Sequence, residues 1–206
     1  TIANQKGGVG KTTTAVNLSA CIAAAEKKTL LVDADPQANA TSGLGVQPLE
    51  GRSTYEVLVG SLPAAEAVLP TQMPFLSVIP SHINLVGAEV EFIELEDRER
   101  RLKDALSSVR NDFDFVIIDC PPSLGILTLN ALNAADSVII PVQCEYYALE
   151  GLSDLVNTIK RVRSNFNPKL RIEGLLRTMF DPRSILAQQV SDQLQKHFGD
   201  KVYRTV

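Results

Sequence analysis

Five short apolar runs bounded by turn residues recur along the chain: Thr29-Leu30-Leu31-Val32, Leu76-Ser77-Val78-Ile79, Phe115-Val116-Ile117-Ile118, and residues 137–142 and 172–176. Each has the length of a strand. Their near-continuous hydrophobicity predicts burial on both faces, which is the condition of a parallel sheet covered by helices. Helix-period patterns lie around and between them, over residues 11–26, 87–110, 126–134, 148–165 and 184–198. Strands alternating with helices predict right-handed crossovers and an α/β fold, a mainly parallel sheet with helices on both faces. Residues 43–74, punctuated by Gly45, Gly51 and Pro63, read as short helices and loops. No linker or repeat interrupts the pattern, so residues 1–206 are expected to form one domain.

The composition narrows this picture. At 206 residues, 45% hydrophobic and 21% charged, the chain suits one sizeable core, and no apolar run approaches the roughly 20 residues of a membrane span. Cys21, Cys120 and Cys144 fit neither a disulfide framework nor a C-x-x-C metal clip, which predicts a reducing, cytoplasmic compartment. Cys21 falls at a core-type position of the first helical pattern, and buried small apolar cysteine is the expectation for all three. Charge is unevenly spread: residues 1–150 hold 10 Lys and Arg against 19 Asp and Glu, residues 151–206 hold 10 against 5. The basic tail third suggests either a polyanion-facing surface or a solvated helix face. The alternating run Glu94–Arg101 reads as a solvated helix face, with a regulatory-partner surface as the alternative. His82 and His197 are isolated and receive no role.

The most informative stretch follows Thr1-Ile2-Ala3, a first strand cut short: Asn4-Gln5-Lys6-Gly7-Gly8-Val9-Gly10-Lys11-Thr12-Thr13-Thr14, running straight into a helical pattern. Glycines let backbone N–H groups converge on phosphate oxygens, and the helix N-terminus adds a favourable dipole. Lys6, Gly7, Gly8, Val9, Gly10, Lys11, Thr12 and Thr13 are therefore candidate nucleotide-binding residues. Lys11 is placed to reach β- and γ-phosphates, and the Thr12 hydroxyl to serve Mg²⁺. Against G-x-x-x-x-G-K-[ST], Gln5 replaces the first glycine and an extra lysine, Lys6, follows it; this is the deviant form of the Walker A loop. Two further runs end strands in carboxylates, Val32-Asp33-Ala34-Asp35 and Ile118-Asp119, where parallel strands face a ligand crevice. Asp119 takes the Walker B role in the Mg²⁺ shell. Asp33 and Asp35 should point to different sides, one toward the loop and one toward the metal or attacking water, or Asp33 caps the next turn.

These motifs, together with Asp33-Ala34-Asp35-Pro36-Gln37-Ala38-Asn39-Ala40-Thr41, Asp119-Cys120-Pro121-Pro122-Ser123-Leu124-Gly125 and residues 141–151 (PVQCEYYALEG), closely resemble the ParA/Soj chromosome-partitioning ATPases over the whole chain. The resemblance implies a P-loop NTPase fold and an ATP-driven switch with ATP and Mg²⁺ as cofactors. It implies a monomer with ADP and a sandwich homodimer with ATP. By the same resemblance the dimer is expected to bind double-stranded DNA non-specifically, with a ParB/Spo0J-type centromere-binding partner stimulating hydrolysis. It further implies a nucleoid-associated, membrane-free location, a catalytic Lys6 acting across the dimer, and an Asp35 that positions water and joins the metal set. Lys11 completes the catalytic group, and Arg183, after Phe180-Asp181-Pro182, belongs to the DNA surface; its alternative is a salt bridge with Asp181 or Asp192. Family members continue beyond Thr205-Val206, so truncation is expected at both ends. Two rivals share the phosphate loop: a membrane-associated division-site selector, argued against by the Asp-Pro-Gln run, and an iron–sulfur reductase, for which the cysteines are poorly placed.

Overall fold

The computed structural model describes residues 1–206, the side chain of Glu94 excepted. Its strands are β1 (Thr29–Asp33), β2 (Leu69–Pro70), β3 (Leu76–Ile79), β4 (Phe115–Asp119), β5 (Ser137–Gln143) and β6 (Arg171–Thr178). Hydrogen bonding orders the first four as β2-β3-β1-β4, and β5 pairs with β6. The chain start joins the two groups: Ile2 bridges Asp119 on one side and Ile139 on the other, both in parallel. Every pairing among the strands is parallel except that of the two-residue edge strand β2 with β3. The predicted α/β architecture is thus observed, with β2 the addition that the pattern did not reveal.

The helices are α1 (Lys11–Ala24), α2 (Asn39–Gly43), α3 (Thr54–Val59), α4 (Ala64–Ala67), α5 (Leu85–Glu91), α6 (Arg101–Leu106), α7 (Ile126–Ala134), α8 (Ala148–Asn165) and α9 (Ile185–Phe198). Alternation along the strands feeds two cores. Leu31, Val78 and Ile117 pack with Ala15 of α1 and Ala40 of α2 on one face. Leu30, Val32, Ile79, Ile118, Val138 and Ile140 pack with the remaining helices on the other. That arrangement explains the unbroken apolar runs, since neither face meets water. Gly174 in β6 admits a close neighbour, for a Cβ there would sit 2.5 Å from the Tyr203 ring.

Four of the five expected helices match closely. The fifth, 87–110, is not one helix. The chain leaves α5 through a 3₁₀ turn at Phe92–Glu94, becomes extended at Leu95 and takes a left-handed conformation at Asp97 before α6 begins. The cause lies on α7. Buried Asn130 donates its amide to Arg98 O and accepts from Leu102 N, and Asn133 donates to Glu99 O. These side chains satisfy backbone groups that a continuous helix would have satisfied internally. In the region read as short helices, α3 starts with a capping box, Ser53 and Glu56 exchanging side-chain and backbone bonds, a signal present in the sequence as S-x-x-E. Cys120 and Cys144 are buried as expected, but Cys21 is exposed on α1.

Candidate functional site

The glycine loop leaves the central position of the sheet and turns into α1, with Gly8 and Gly10 at positive φ (73° and 83°), a conformation that a side chain at either position would strain. The surrounding fold holds the loop from both sides. Asn4 Oδ1 accepts from Lys6 N at 3.0 Å while its Nδ2 donates to Pro141 O at 2.7 Å. From the end of β6, Thr178 Oγ1 donates to Val9 O at 2.9 Å. Neither Asn4 nor Thr178 was singled out in the sequence. Asn4 lay within the loop motif without a chemical reason to mark it, and Thr178 is brought in from 169 positions away.

A cavity of about 730 Å³ opens over the loop. Of the candidate residues, Gly7, Gly8, Gly10, Lys11, Thr12, Thr13 and Asp35 line it, joined by Gln37, Asn39 and Arg177, which had carried no assignment. Val9 turns its side chain into the interior instead. Lys6 does not line the cavity; its ammonium pairs with the carboxylate of Glu145. Lys11 is buried and donates from Nζ to Lys6 O at 3.0 Å. Burial lowers its pKa, and Asp119, Cys120 and Asp35 oppose that shift by attraction.

The three strand-end aspartates have separate surroundings. Asp33 and Asp119 are register partners on β1 and β4. Asp33 is wholly buried and spent on local structure: its oxygens accept from Asp35 N at 3.1 Å, Thr41 N at 2.8 Å and Thr41 Oγ1 at 2.7 Å. Of the two readings open for Asp33, the turn-organising one is observed. Burial raises its pKa to about 6 against the opposing pull of those bonds. Asp35 reaches the cavity wall and accepts from Gln37 N at 3.0 Å. Asp119 is fully buried, and neither carboxylate oxygen has a hydrogen-bond partner. Its pKa rises to about 7, first through burial and then through repulsion from Asp33 and Asp35, with nearby Thr12 and Lys11 acting the other way.

An orphaned buried carboxylate is costly unless something balances it. Among the described residues no cluster of three or more His, Cys, Asp and Glu side chains could hold a metal alone. This donor set, one carboxylate and one hydroxyl beside a phosphate cradle, suits Mg²⁺, which is held by few protein ligands plus waters and phosphate oxygens. The residues present therefore fit the ion, with Thr12 and Asp119 as the groups that would hold it.

Comparison with known proteins decides the family. A family described as an AAA domain matches residues 1–172. The sporulation initiation inhibitor protein Soj of Bacillus subtilis is 55% identical over the whole of this chain and 81% of its own length. The chromosome partitioning protein ParA of Myxococcus xanthus is 54% identical over the whole chain and 73% of its own. This chain belongs to the ParA/Soj family. Among solved structures it is similar to cobyrinic acid a,c-diamide synthase from Mycobacterium smegmatis with bound ADP and magnesium, at 41% identity and a TM-score of 0.90, over 96% of this chain and 81% of that one. The fold of the ParA/Soj chain is accordingly that of a P-loop ATPase.

Arg183 lies outside the cavity, just before α9, whose N-cap Ser184 accepts from Ala187 N at 3.3 Å. Its guanidinium forms two bonds with Asp181, Nε to Oδ1 at 3.0 Å and Nη2 to Oδ2 at 2.9 Å. The salt bridge weighed against the DNA reading is therefore present. Arg183 is exposed and Asp181 half-buried, so water and salt screen the pair and a phosphate can compete for the arginine.

Proposed function

We propose that this chain is a Mg²⁺-dependent ATPase acting as a chromosome or plasmid partitioning switch, with residues 1–206 as one ATPase domain. The observation that carries the reading is the meeting, at one cavity, of a glycine loop with positive-φ turns, a buried lysine and an unpartnered buried carboxylate. Gly7, Gly8, Gly10 and the first amides of α1 bind phosphate oxygens, and Lys11 neutralises the β/γ charge. Thr12 and Asp119 would hold Mg²⁺, which would supply positive charge to balance the phosphates. Asp35, on the cavity wall, orients water for attack. Sedimentation with ADP, with ATP, and with ATP plus duplex DNA tests nucleotide binding, homodimerisation and DNA binding in one series; a monomer indifferent to all three would refute the switch.

Lys6 is assigned to the partner's nucleotide in an ATP homodimer. Its own cavity already has Lys11, and its ammonium sits at the loop's edge beside Glu145. Lys6→Ala is expected to bind nucleotide as a monomer and lose hydrolysis by roughly 10³-fold, as for a trans-acting cation. Mixing it with Asp35→Ala subunits restores roughly a quarter of wild-type turnover, because half of randomly mixed two-fold dimers carry one intact site. No recovery at any ratio would place Lys6 in cis.

The DNA and partner assignments follow from the family. We assign Arg183 to a sequence-independent duplex surface near the start of α9, and a ParB-type protein to stimulation of turnover, in a cytoplasmic, nucleoid-associated setting. No helix among the described residues is long and apolar enough to cross a membrane. Arg183→Glu should leave basal ATPase intact and lower both the affinity for unrelated duplexes and its salt dependence, by about 0.9 in log–log slope for each phosphate that the protein no longer neutralises. Wild-type affinity and slope would remove Arg183 from the surface.

A further inference from the structure

Residues 202–206 are tied to β6. After α9 a 3₁₀ turn at Gly199–Lys201 brings Val202 alongside Leu175, and Tyr203 N donates to Leu175 O at 3.0 Å. Two residues on, Thr205 and Val206 reach the wall of the cavity, which the β6 end also lines with Leu176 and Met179. The cavity therefore has two kinds of wall. The glycine loop and Lys11 supply charge and backbone groups, whereas Leu176, Met179 and Val206 supply an apolar surface. One guanidinium holds that second wall. Arg177, half-buried near the end of β6, donates from Nη2 to Tyr203 O at 2.9 Å and to Arg204 O at 3.1 Å, and from Nη1 to Ser191 Oγ of α9 at 2.9 Å. Beyond Tyr203, the bond to Arg204 O is the only hydrogen bond among the described residues that fixes the segment.

We propose that Arg177 is a positioning residue for the base end of the nucleotide: by clamping the Tyr203 and Arg204 carbonyls it keeps Val206 at the cavity, where the apolar wall takes a flat base while the phosphates lie on the loop. The residue type suits the task. A planar fork of donors can be shared among two carbonyls and a hydroxyl, whereas a lysine ammonium is a point charge on a flexible stem and does not reproduce that geometry. The Phe180 ring, 5.4 Å from the Arg177 Cζ, supports the guanidinium further. The rival role is a charge acting on the phosphates, since none of the ion pairs among the described residues includes Arg177. A charge would serve any polyphosphate; a clamp on the second wall matters only to a ligand that carries a base. The base end rests on the ATPase reading, while the clamp is a property of the ligand-free chain.

The full chain and its Arg177→Met, Arg177→Lys and Val206→Ser variants test this. Without ligand, the Tyr203 amide should exchange its hydrogen roughly tenfold faster in Arg177→Met than in the wild type, with β5 unchanged. Mg²⁺–ADP should bind Arg177→Met about tenfold more weakly, the equivalent of one charge-assisted hydrogen bond. Mg²⁺–tripolyphosphate, which has no base, should bind both proteins equally well. Val206→Ser should weaken ADP by roughly fourfold, about one buried methylene, in the wild-type background and by nothing further in Arg177→Met, because the wall is already released there. Arg177→Lys should resemble Arg177→Met. Unchanged exchange at Tyr203 would overturn the clamp. An equal loss for tripolyphosphate, or full recovery in Arg177→Lys, would make Arg177 a charge on the phosphates and overturn it too, and additive losses in the double variant would show that it does not act through the wall. If Arg177→Met lacks a cooperative melt, the same comparisons are read from Arg177→Lys. A wild type that binds neither ligand would remove the nucleotide site, and exchange at Tyr203 would still decide the clamp.

Discussion

Replacing Lys11 with alanine should abolish ATP binding and hydrolysis while leaving a cooperative thermal melt. Lys11 is the first residue of α1, buried, with Nζ turned back onto the Lys6 carbonyl at 3.0 Å. Its charge faces Asp119 and Asp35 rather than open solvent. Removing one member of a desolvated, hydrogen-bonded charge pair costs about 2–5 kcal/mol, which is roughly 30-fold to several-thousand-fold in nucleotide affinity. The fold loses less. Alanine is well tolerated at a helix start, the loop keeps its bonds from Asn4 and Thr178, and the expense of burying a cation disappears with the side chain. Titration with a fluorescent ADP analogue, alongside a melt, checks both halves. An affinity within twofold of wild type would remove Lys11 from the phosphate site, and a lost melt would make it structural.

Asp119→Asn should make the ligand-free protein more stable at pH 8 and inactive at every pH. The wild-type carboxylate, buried without partners, has its pKa raised from 3.8 to about 7. Between those two values the folded protein holds a proton that the unfolded chain has released, so stability is greatest below the lower value and is lost as pH rises through the window. Asparagine never ionises and escapes this loss. At pH 8 the variant should therefore gain about 2–4 kcal/mol, since each tenfold in the proton equilibrium is worth about 1.4 kcal/mol. The gap should narrow as pH falls toward 5.5. Asp33, raised to about 6, titrates in the same range but in both proteins, so the comparison largely cancels it. Melting curves from pH 5.5 to 8.5 decide the point. Adding Mg²⁺ and ADP at pH 8 should stabilise the wild type and not the variant, because only the wild type keeps the anionic group that fits the ion. A gap independent of pH would mean that Asp119 is charged throughout, and its orphaned oxygens would then need another explanation.

Much of this protein was determined locally and is legible in the chain. The five apolar runs became β1, β3, β4, β5 and β6 because strands covered on both sides cannot alternate, and the glycine loop kept its place because a strand, a tight turn and a helix start are consecutive in sequence. Asp119 stands at the end of β4, and Asp35 two residues past the end of β1, for the same reason. What tertiary structure decided are the contacts between distant positions. Asp33 and Asp35 are both strand-end carboxylates, and only the approach of Thr41, eight residues on, makes Asp33 a turn organiser and leaves Asp35 at the cavity. The helical pattern over 87–110 is a true periodicity, yet the asparagines of α7 supply its backbone with other partners and break it. Thr178 joins the loop, and Lys6 meets Glu145 139 positions away, only because the parallel sheet brings its carboxyl ends to one edge. Local propensity determines which segments are strands and helices. Which polar groups remain without a partner, and so are left for a ligand, is a property of the assembled fold.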